Sequence, residues 1–272
     1  MENVCLLDGA MGTELMKRGV AVPRFSEEVN LTEPEAVRAI HRDYIDAGSR
    51  IVYACTFGCN PVKARGAAIA PVVGAALMNA RAAAGDKARV GLDVGPLGKL
   101  LEPYGELEED EARAAFREVF AAGAAADLVA LETFFDLNEA LLALETAREV
   151  LPGKPCFVTM TFQQSGRTLT GVSVGEMARE LAAAGADAVG LNCSLGPREA
   201  LPLARELREA TDRPLIVKPN AGMPDPVTGA YPLDADAFAE AMAPILELGV
   251  AYAGGCCGTD PGYIRKLAEL IR

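Results

Sequence analysis

Val250-Ala251-Tyr252-Ala253-Gly254-Gly255-Cys256-Cys257-Gly258-Thr259 is the last instance of a pattern that recurs along the whole chain. An apolar run of strand length ends in glycine and polar residues, and a helical pattern then starts near Pro261. Working back toward the N-terminus, equivalent runs are Pro214 to Asn220, Ala188 to Cys193, Cys156 to Phe162, Leu128 to Glu132, Arg89 to Val94, Arg50 to Thr56 and Val4 to Asp8. Helical patterns lie between them: Pro34 to Ala47, an alanine-rich stretch reaching Ala84, Leu107 to Ala122, Asp136 to Val150, Val174 to Ala184, one opened by Pro197, and Ala235 to Leu248. Thr32 is placed to cap the first of these and Gly48 to end it. Strands alternating with helices specify a parallel sheet with crossover helices. Eight such units in 272 residues match a closed (β/α)8 TIM barrel, which typically takes about 250 residues. A dinucleotide-binding open sheet would carry G-x-G-x-x-G after its first strand, and Gly9-Ala10-Met11-Gly12 lacks that spacing. With no internal linker, a single domain over residues 1–272 is expected.

The totals agree with a soluble globular chain: 50% hydrophobic, 24% charged and no low-complexity tract. A compact fold of this length buries roughly 75% of its unfolded surface, enough for a large core without metal or disulfide staples. A net charge of -12 argues against nucleic acid or an anionic membrane as partner. No apolar run has the length of a membrane span, and the first residues lack the basic region of a signal peptide. Seven cysteines, an odd number, do not form a disulfide framework, so a cytoplasmic protein with reduced thiols is expected.

Barrel enzymes place their chemistry at the C-terminal ends of the strands. The polar residues ending these runs are Asp8, Thr56, Asp93, Glu132, Cys193, Asn220 and the pair Cys256 and Cys257. Adjacent cysteines can ligate one ion only where the backbone turns sharply, which the flanking glycines permit. Zinc takes thiolates in a tetrahedron and in catalytic sites keeps one position open, so a third thiolate is needed; Cys193 is the best candidate. Neighbouring strands lie about 4.7–4.9 Å apart, so side chains from the sixth and eighth can converge over the seventh. Three thiolates make a divalent ion a poor Lewis acid for carbonyls, but one suited to binding and deprotonating a thiol. The expected reaction is attack by a substrate sulfur on an electrophilic carbon.

Four stretches carry a more specific resemblance: Leu7-Asp8-Gly9-Ala10-Met11-Gly12-Thr13-Glu14, Gly190-Leu191-Asn192-Cys193-Ser194, Lys218-Pro219-Asn220-Ala221-Gly222-Met223-Pro224 and Gly254-Gly255-Cys256-Cys257-Gly258-Thr259. The chain resembles the zinc-dependent homocysteine S-methyltransferase family from about residue 5 to its end. Leu31-Thr32-Glu33-Pro34-Glu35, Val158-Thr159-Met160-Thr161-Phe162 and Pro219-Asn220-Ala221-Gly222 resemble most the homocysteine-binding module of cobalamin-dependent methionine synthase. The resemblance implies zinc on the catalytic cysteines Cys193, Cys256 and Cys257, with Asn220 as fourth ligand when substrate is absent. It further implies that Asp8 and Glu132 hold the homocysteine ammonium, while backbone amides near Gly9, Gly12, Thr13 and Ser194 hold its carboxylate. The implied donor is methylcobalamin on a corrinoid protein or module, charged from methyltetrahydrofolate by a folate-binding methyltransferase; S-methylmethionine and betaine are the alternatives. Many relatives carry an acid and an asparagine after the second strand, where this chain reads Tyr53-Ala54-Cys55-Thr56-Phe57. The cobalamin enzyme has further modules after its barrel, so a stand-alone subunit, a fragment or a paralogue with another donor is expected.

Other residues have plainer readings. Cys5 and Cys156 read as core residues, and Cys55 and Cys59 as loop residues, with a second metal or redox pair as the alternative. Thr56 and Asp93 read as loop supports, with substrate binding as the alternative. His41, the only histidine, reads as a solvated helix residue beside Arg42 and Asp43. Lys218 shares a strand face with Asn220 and points to a rival reading, an imine-forming aldolase barrel in which the cysteines are incidental. A non-catalytic subunit holding zinc for structure is a third reading, although structural sites usually have four protein ligands.

Overall fold

The apolar runs form eight strands: β1 (Cys5–Leu6), β2 (Ile51–Tyr53), β3 (Arg89–Val94), β4 (Leu128–Phe134), β5 (Cys156–Met160), β6 (Ala188–Asn192), β7 (Leu215–Lys218) and β8 (Tyr252–Ala253). The computed structural model describes residues 4–23 and 25–271. The strands form one parallel sheet in the order β1-β8-β7-β6-β5-β4-β3-β2, the path of a TIM barrel. Between β1 and β2 the ring is joined by Arg50 N–H donating to Leu6 O at 2.8 Å and Ser49 Oγ donating to Leu7 O at 3.0 Å. The Asp8 carboxylate then accepts the Tyr53 N–H at 2.7 Å, so a side chain completes the seam where main-chain pairing stops.

Eight helices cover the outside: α1 (Pro34–Ala47), α2 (Ile69–Ala84), α3 (Glu109–Ala122), α4 (Leu137–Val150), α5 (Val174–Ala183), α6 (Pro197–Ala210), α7 (Ala235–Leu246) and α8 (Pro261–Leu270). Asp136, Ser173, Asp234 and Asp260 cap α4, α5, α7 and α8 through their side chains. Thr32 does not cap α1: it ends a short helix, Val29–Thr32, and Glu33 takes the cap position without a side-chain bond. That short helix, with Met11–Lys17 and Pro61–Ala64, occupies the first two loops, where no sustained periodicity marks it. No helix among the described residues is long and apolar enough to cross a membrane.

Strand alternation sorts the side chains into two layers. Leu7, Ile51, Tyr53, Leu128, Ala130, Phe157, Ala188 and Ile216 fill the barrel, where the Phe157 and Tyr252 rings lie 4.5 Å apart. Val129, Leu131, Val158, Leu191 and Val217 face outward and join Phe116, Leu144 and Phe238 of the helices in the outer core. Inside, Gly190 is obligatory: a Cβ there would lie 1.9 Å from the Ile216 carbonyl oxygen.

His41 is fully buried rather than solvated, and neither ring nitrogen has a hydrogen-bond partner. It continues the row Val37, His41, Ile45 on the buried face of α1, which packs on α2 and α8. Burial lowers its pKa from 6.5 to about 4. Between those values the unfolded chain binds a proton that the folded chain refuses, so stability falls as the pH drops from 6.5 toward 4. One pKa unit is worth about 1.4 kcal/mol, so the full loss is on the order of 3 kcal/mol. Urea unfolding across this range should show a flatter pH dependence for His41→Leu than for the native chain. Gly190→Ala should lower stability by about 3 kcal/mol or more, read as a drop in thermal midpoint, because backbone rather than a flexible side chain must yield.

Candidate active site

Alternation carries inward-facing polar side chains to the C-terminal end of the barrel. Asp93 follows Gly91 on β3, Glu132 follows Ala130 on β4, and Lys218 follows Ile216 on β7. With Asp8, Tyr53, Cys193, Cys256 and Cys257 they line one cavity of about 500 Å³. A β-bulge at Glu132–Thr133 interrupts the β4–β5 register, and Thr133 takes φ 64°. Such an irregularity re-aims a side chain at a strand end. Asn192 pins it: its Oδ1 accepts the Thr133 N–H at 2.8 Å and the Thr159 hydroxyl at 2.9 Å, while its Nδ2 donates to Thr133 Oγ1 at 2.7 Å.

The three thiols arrive from two loops. Cys193 and Ser194 both take left-handed backbone, φ 59° and 55°, a conformation costly for residues with a Cβ and one that clusters at functional sites. The second loop turns through Gly255 and Gly258; a Cβ on Gly255 would lie 2.4 Å from Thr259 Oγ1. The Cys193 and Cys257 sulfurs are 3.8 Å apart, and all three sulfurs lie within 4.8 Å of one another. Hydrogen bonds from Cys193 and then Cys256 draw the Cys257 thiol down to about 3, while Cys256 is pushed up by Cys193, then Cys257, and by burial. Such a trio holds a thiolate readily.

The donor set suits a thiophilic divalent cation such as zinc. Asn220, on the segment between the two cysteine loops, is buried and its Oδ1 has no hydrogen-bond partner, which leaves one carboxamide acceptor on that segment unused. Among the described residues these cysteines form the one cluster of His, Cys, Asp and Glu side chains spaced to hold a metal ion; Cys55 and Cys59 form none.

Beside the thiols lies a layer of buried charge. Lys218 Nζ is 3.0 Å from Glu132 Oε2, 3.5 Å from Asp8 Oδ1 and 4.0 Å above the Tyr53 ring centroid. Burial alone would lower the Lys218 pKa, but Glu132 and then Asp8 outweigh it and hold the ammonium well above its usual range. That removes the free amine an imine-forming lysine needs. Burial raises the Asp8 carboxyl to about 6, against the pull of Lys218 and the Tyr53 N–H. Asp93 is raised well above the carboxylate range by burial and then by Glu132, and its Oδ1 has no partner.

The structure therefore gathers Asp8, Gly9, Gly12, Thr13, Glu132, Cys193, Cys256 and Cys257 around one cavity. Ser194 is exposed, lies outside that lining and shares a hydrogen bond with Thr161. Sequence reasoning missed Asn192, Tyr231 and Glu27, and took Asp93 for a loop support. Asn192 had a signal, a carboxamide closing an apolar run. Glu27, which accepts the Gly58 N–H at 2.7 Å, and Tyr231, packed where a Cβ on Gly258 would fall, had none.

Comparison with known proteins gives a consistent picture. The sequence profile described as Homocysteine S-methyltransferase matches residues 5–271. The methionine synthase of Mycobacterium leprae is 34% identical over 99% of this chain, and the chain spans 24% of that protein. Betaine–homocysteine S-methyltransferase 1 of Xenopus laevis is 31% identical over 98% of the chain and 72% of the relative. The metallated form of the Escherichia coli homocysteine methyltransferase MmuM superposes with a TM-score of 0.84 at 26% identity, over 98% of this chain and 96% of that one.

The geometry predicts that purified protein carries one equivalent of zinc per chain, measurable by elemental analysis. Cys193→Ala should abolish stoichiometric zinc while leaving the circular dichroism spectrum intact, since the barrel core is complete without the ion.

Proposed function

The chain belongs to the homocysteine S-methyltransferase family, and from that premise we propose that it transfers a methyl group to the thiol of homocysteine, giving methionine. The observation that carries this reading is the trio of sulfurs within 4.8 Å of one another, lining the same cavity as the largely buried carboxylates of Asp8 and Glu132. A zinc ion held by Cys193, Cys256 and Cys257 would lower the pKa of a substrate thiol bound to it, so that the proton leaves to solvent and the sulfur stays nucleophilic near neutral pH.

The chain's own residues orient the amino acid. Asp8 and Glu132 accept the ammonium, for which ionised carboxylates are strong partners. The carboxylate lies against main-chain N–H groups of the turn through Gly9, Gly12 and Thr13; this turn borders the cavity and is glycine-rich enough for close approach. Ser194, if it assists, does so through its main chain. The unpartnered Asn220 carboxamide oxygen would be available as a further ligand when substrate is absent. No general base is required of the protein, and the buried, unpartnered His41 offers none.

For the donor, we favour methylcobalamin on a separate corrinoid protein or module, charged from methyltetrahydrofolate. The branch-specific motifs support this, and so does the rim. Met16 and Val22, 69% and 43% exposed, border the cavity, and Leu100, Tyr104, Leu169 and Val227 expose apolar surface on other loops that follow strands. The second reading, a small donor such as S-methylmethionine or betaine, is favoured by the 31% identity to betaine–homocysteine S-methyltransferase 1 of Xenopus laevis, over 72% of that protein.

Offering methylcobalamin, methyltetrahydrofolate, betaine and S-methylmethionine in parallel separates these readings. Methionine should form from homocysteine with methylcobalamin, and turnover with betaine or S-methylmethionine alone would move the assignment to the second reading. Homocysteine binding should release about one proton at pH 7, because a free thiol titrates near 8.5. Calorimetry in buffers of different ionisation enthalpy measures that release.

A further inference from the structure

Among the described residues, Lys218 is the one lysine or arginine lining the mouth cavity. Its ammonium sits between two carboxylates from opposite parts of the ring, Glu132 at 3.0 Å and Asp8 at 3.5 Å, and all three side chains are largely buried. Two carboxylates brought together away from water do not both stay ionised without a counter-charge. Lys218 supplies it, and the Tyr53 ring beneath holds the ammonium in place. The same residue reaches the thiols through its main chain, since Lys218 O accepts the Cys193 N–H at 3.1 Å.

One cation between two carboxylates leaves a net negative charge and unused acceptor positions, because each ionised carboxylate offers about four. A second ammonium would complete the set and bring its charge to zero. Asp93, buried beside Glu132, is held toward its neutral form and so adds little to that charge. Taking the reading that Asp8 and Glu132 receive the substrate ammonium, we propose that Lys218 is a positioning residue: it keeps these two carboxylates together as a receptor, so that the site selects an α-amino thiol over thiols lacking the amino group.

The test compares homocysteine with 4-mercaptobutyrate, the same thiol acid without its amino group, binding to the zinc-loaded chain by calorimetry. The native chain should prefer homocysteine by about tenfold or more. In Lys218→Gln the preference should shrink to about threefold or less while affinity for 4-mercaptobutyrate and zinc content persist. Lys218→Arg, which keeps the cation, should retain the preference; if the glutamine variant does not fold, the arginine variant decides. An undiminished preference in Lys218→Gln overturns the proposal, since the lysine would then only compete with substrate for the acids. Loss of the preference in folded, zinc-loaded Lys218→Arg also overturns it. A native chain that binds both thiols alike removes the ammonium receptor, and the proposal with it, while methyl transfer to homocysteine would still stand or fall by its own assay.

Discussion

The site depends on a clamp of main-chain hydrogen bonds around the exit of β7. Cys193 N–H donates to Lys218 O at 3.1 Å and Asn220 N–H to Leu195 O at 2.9 Å on one side; Cys256 N–H donates to Pro219 O at 2.8 Å and Ala221 N–H to Cys257 O at 3.0 Å on the other. The segment Lys218 to Ala221 thus serves as a common edge for two loops 64 residues apart in sequence. Without it, the left-handed turn at Cys193 and Ser194 would relax, since neither residue favours that conformation by itself. Parallel strands make this possible because β6, β7 and β8 all deliver their chain exits to the same face.

The clamp also explains why charge and sulfur share one cavity. Lys218 uses its carbonyl for the cysteine loop and its side chain for the acids, so the thiol trio and the carboxylate pair are referenced to one residue. Buried ionic groups are tolerated only when paired and hydrogen-bonded. Here the pairing is incomplete: Glu132, Asp8 and Asp93 face a single ammonium, and Asp93 and Asn220 each leave an oxygen without a partner. Within the mouth, an unpartnered Asp93 oxygen beside carboxylates that share one ammonium marks where a ligand can complete the structure.

Much of this was legible in the sequence because the repeat is regular. The limits of β3 and α1 were read to the residue, Arg89–Val94 and Pro34–Ala47, since a glycine, a proline or an abrupt change of polarity marks each end. The cysteines and Asp8 were legible as polar endings of apolar runs. Three features were hidden for different reasons. His41 sits on a row that reads as buried only when its neighbours four residues away are counted, and adjacent Arg42 and Asp43 masked it. The bulge that aims Glu132 is a change of register between two strands, which no single run reveals. The ion pairs of Lys218 span up to 210 residues and depend on the barrel closing.

The strands and the loops divide the work, and that division bears on the donor. The residues assigned to homocysteine sit at or just beyond strand ends, on backbone held by the sheet and by the β7 clamp. The rim that a donor must cross belongs to longer connections, including the segment from Met11 through Val22 and the loop after β2, which begins Ala54-Cys55-Thr56-Phe57. Under the proposed function, homocysteine needs the same groups whatever donates the methyl, and those groups stand on the rigid part. Donor identity must be written in loops that can change without disturbing the sheet. Under the proposed function, the exposed apolar side chains on this rim are where a choice of donor would be made, without disturbing the sheet beneath.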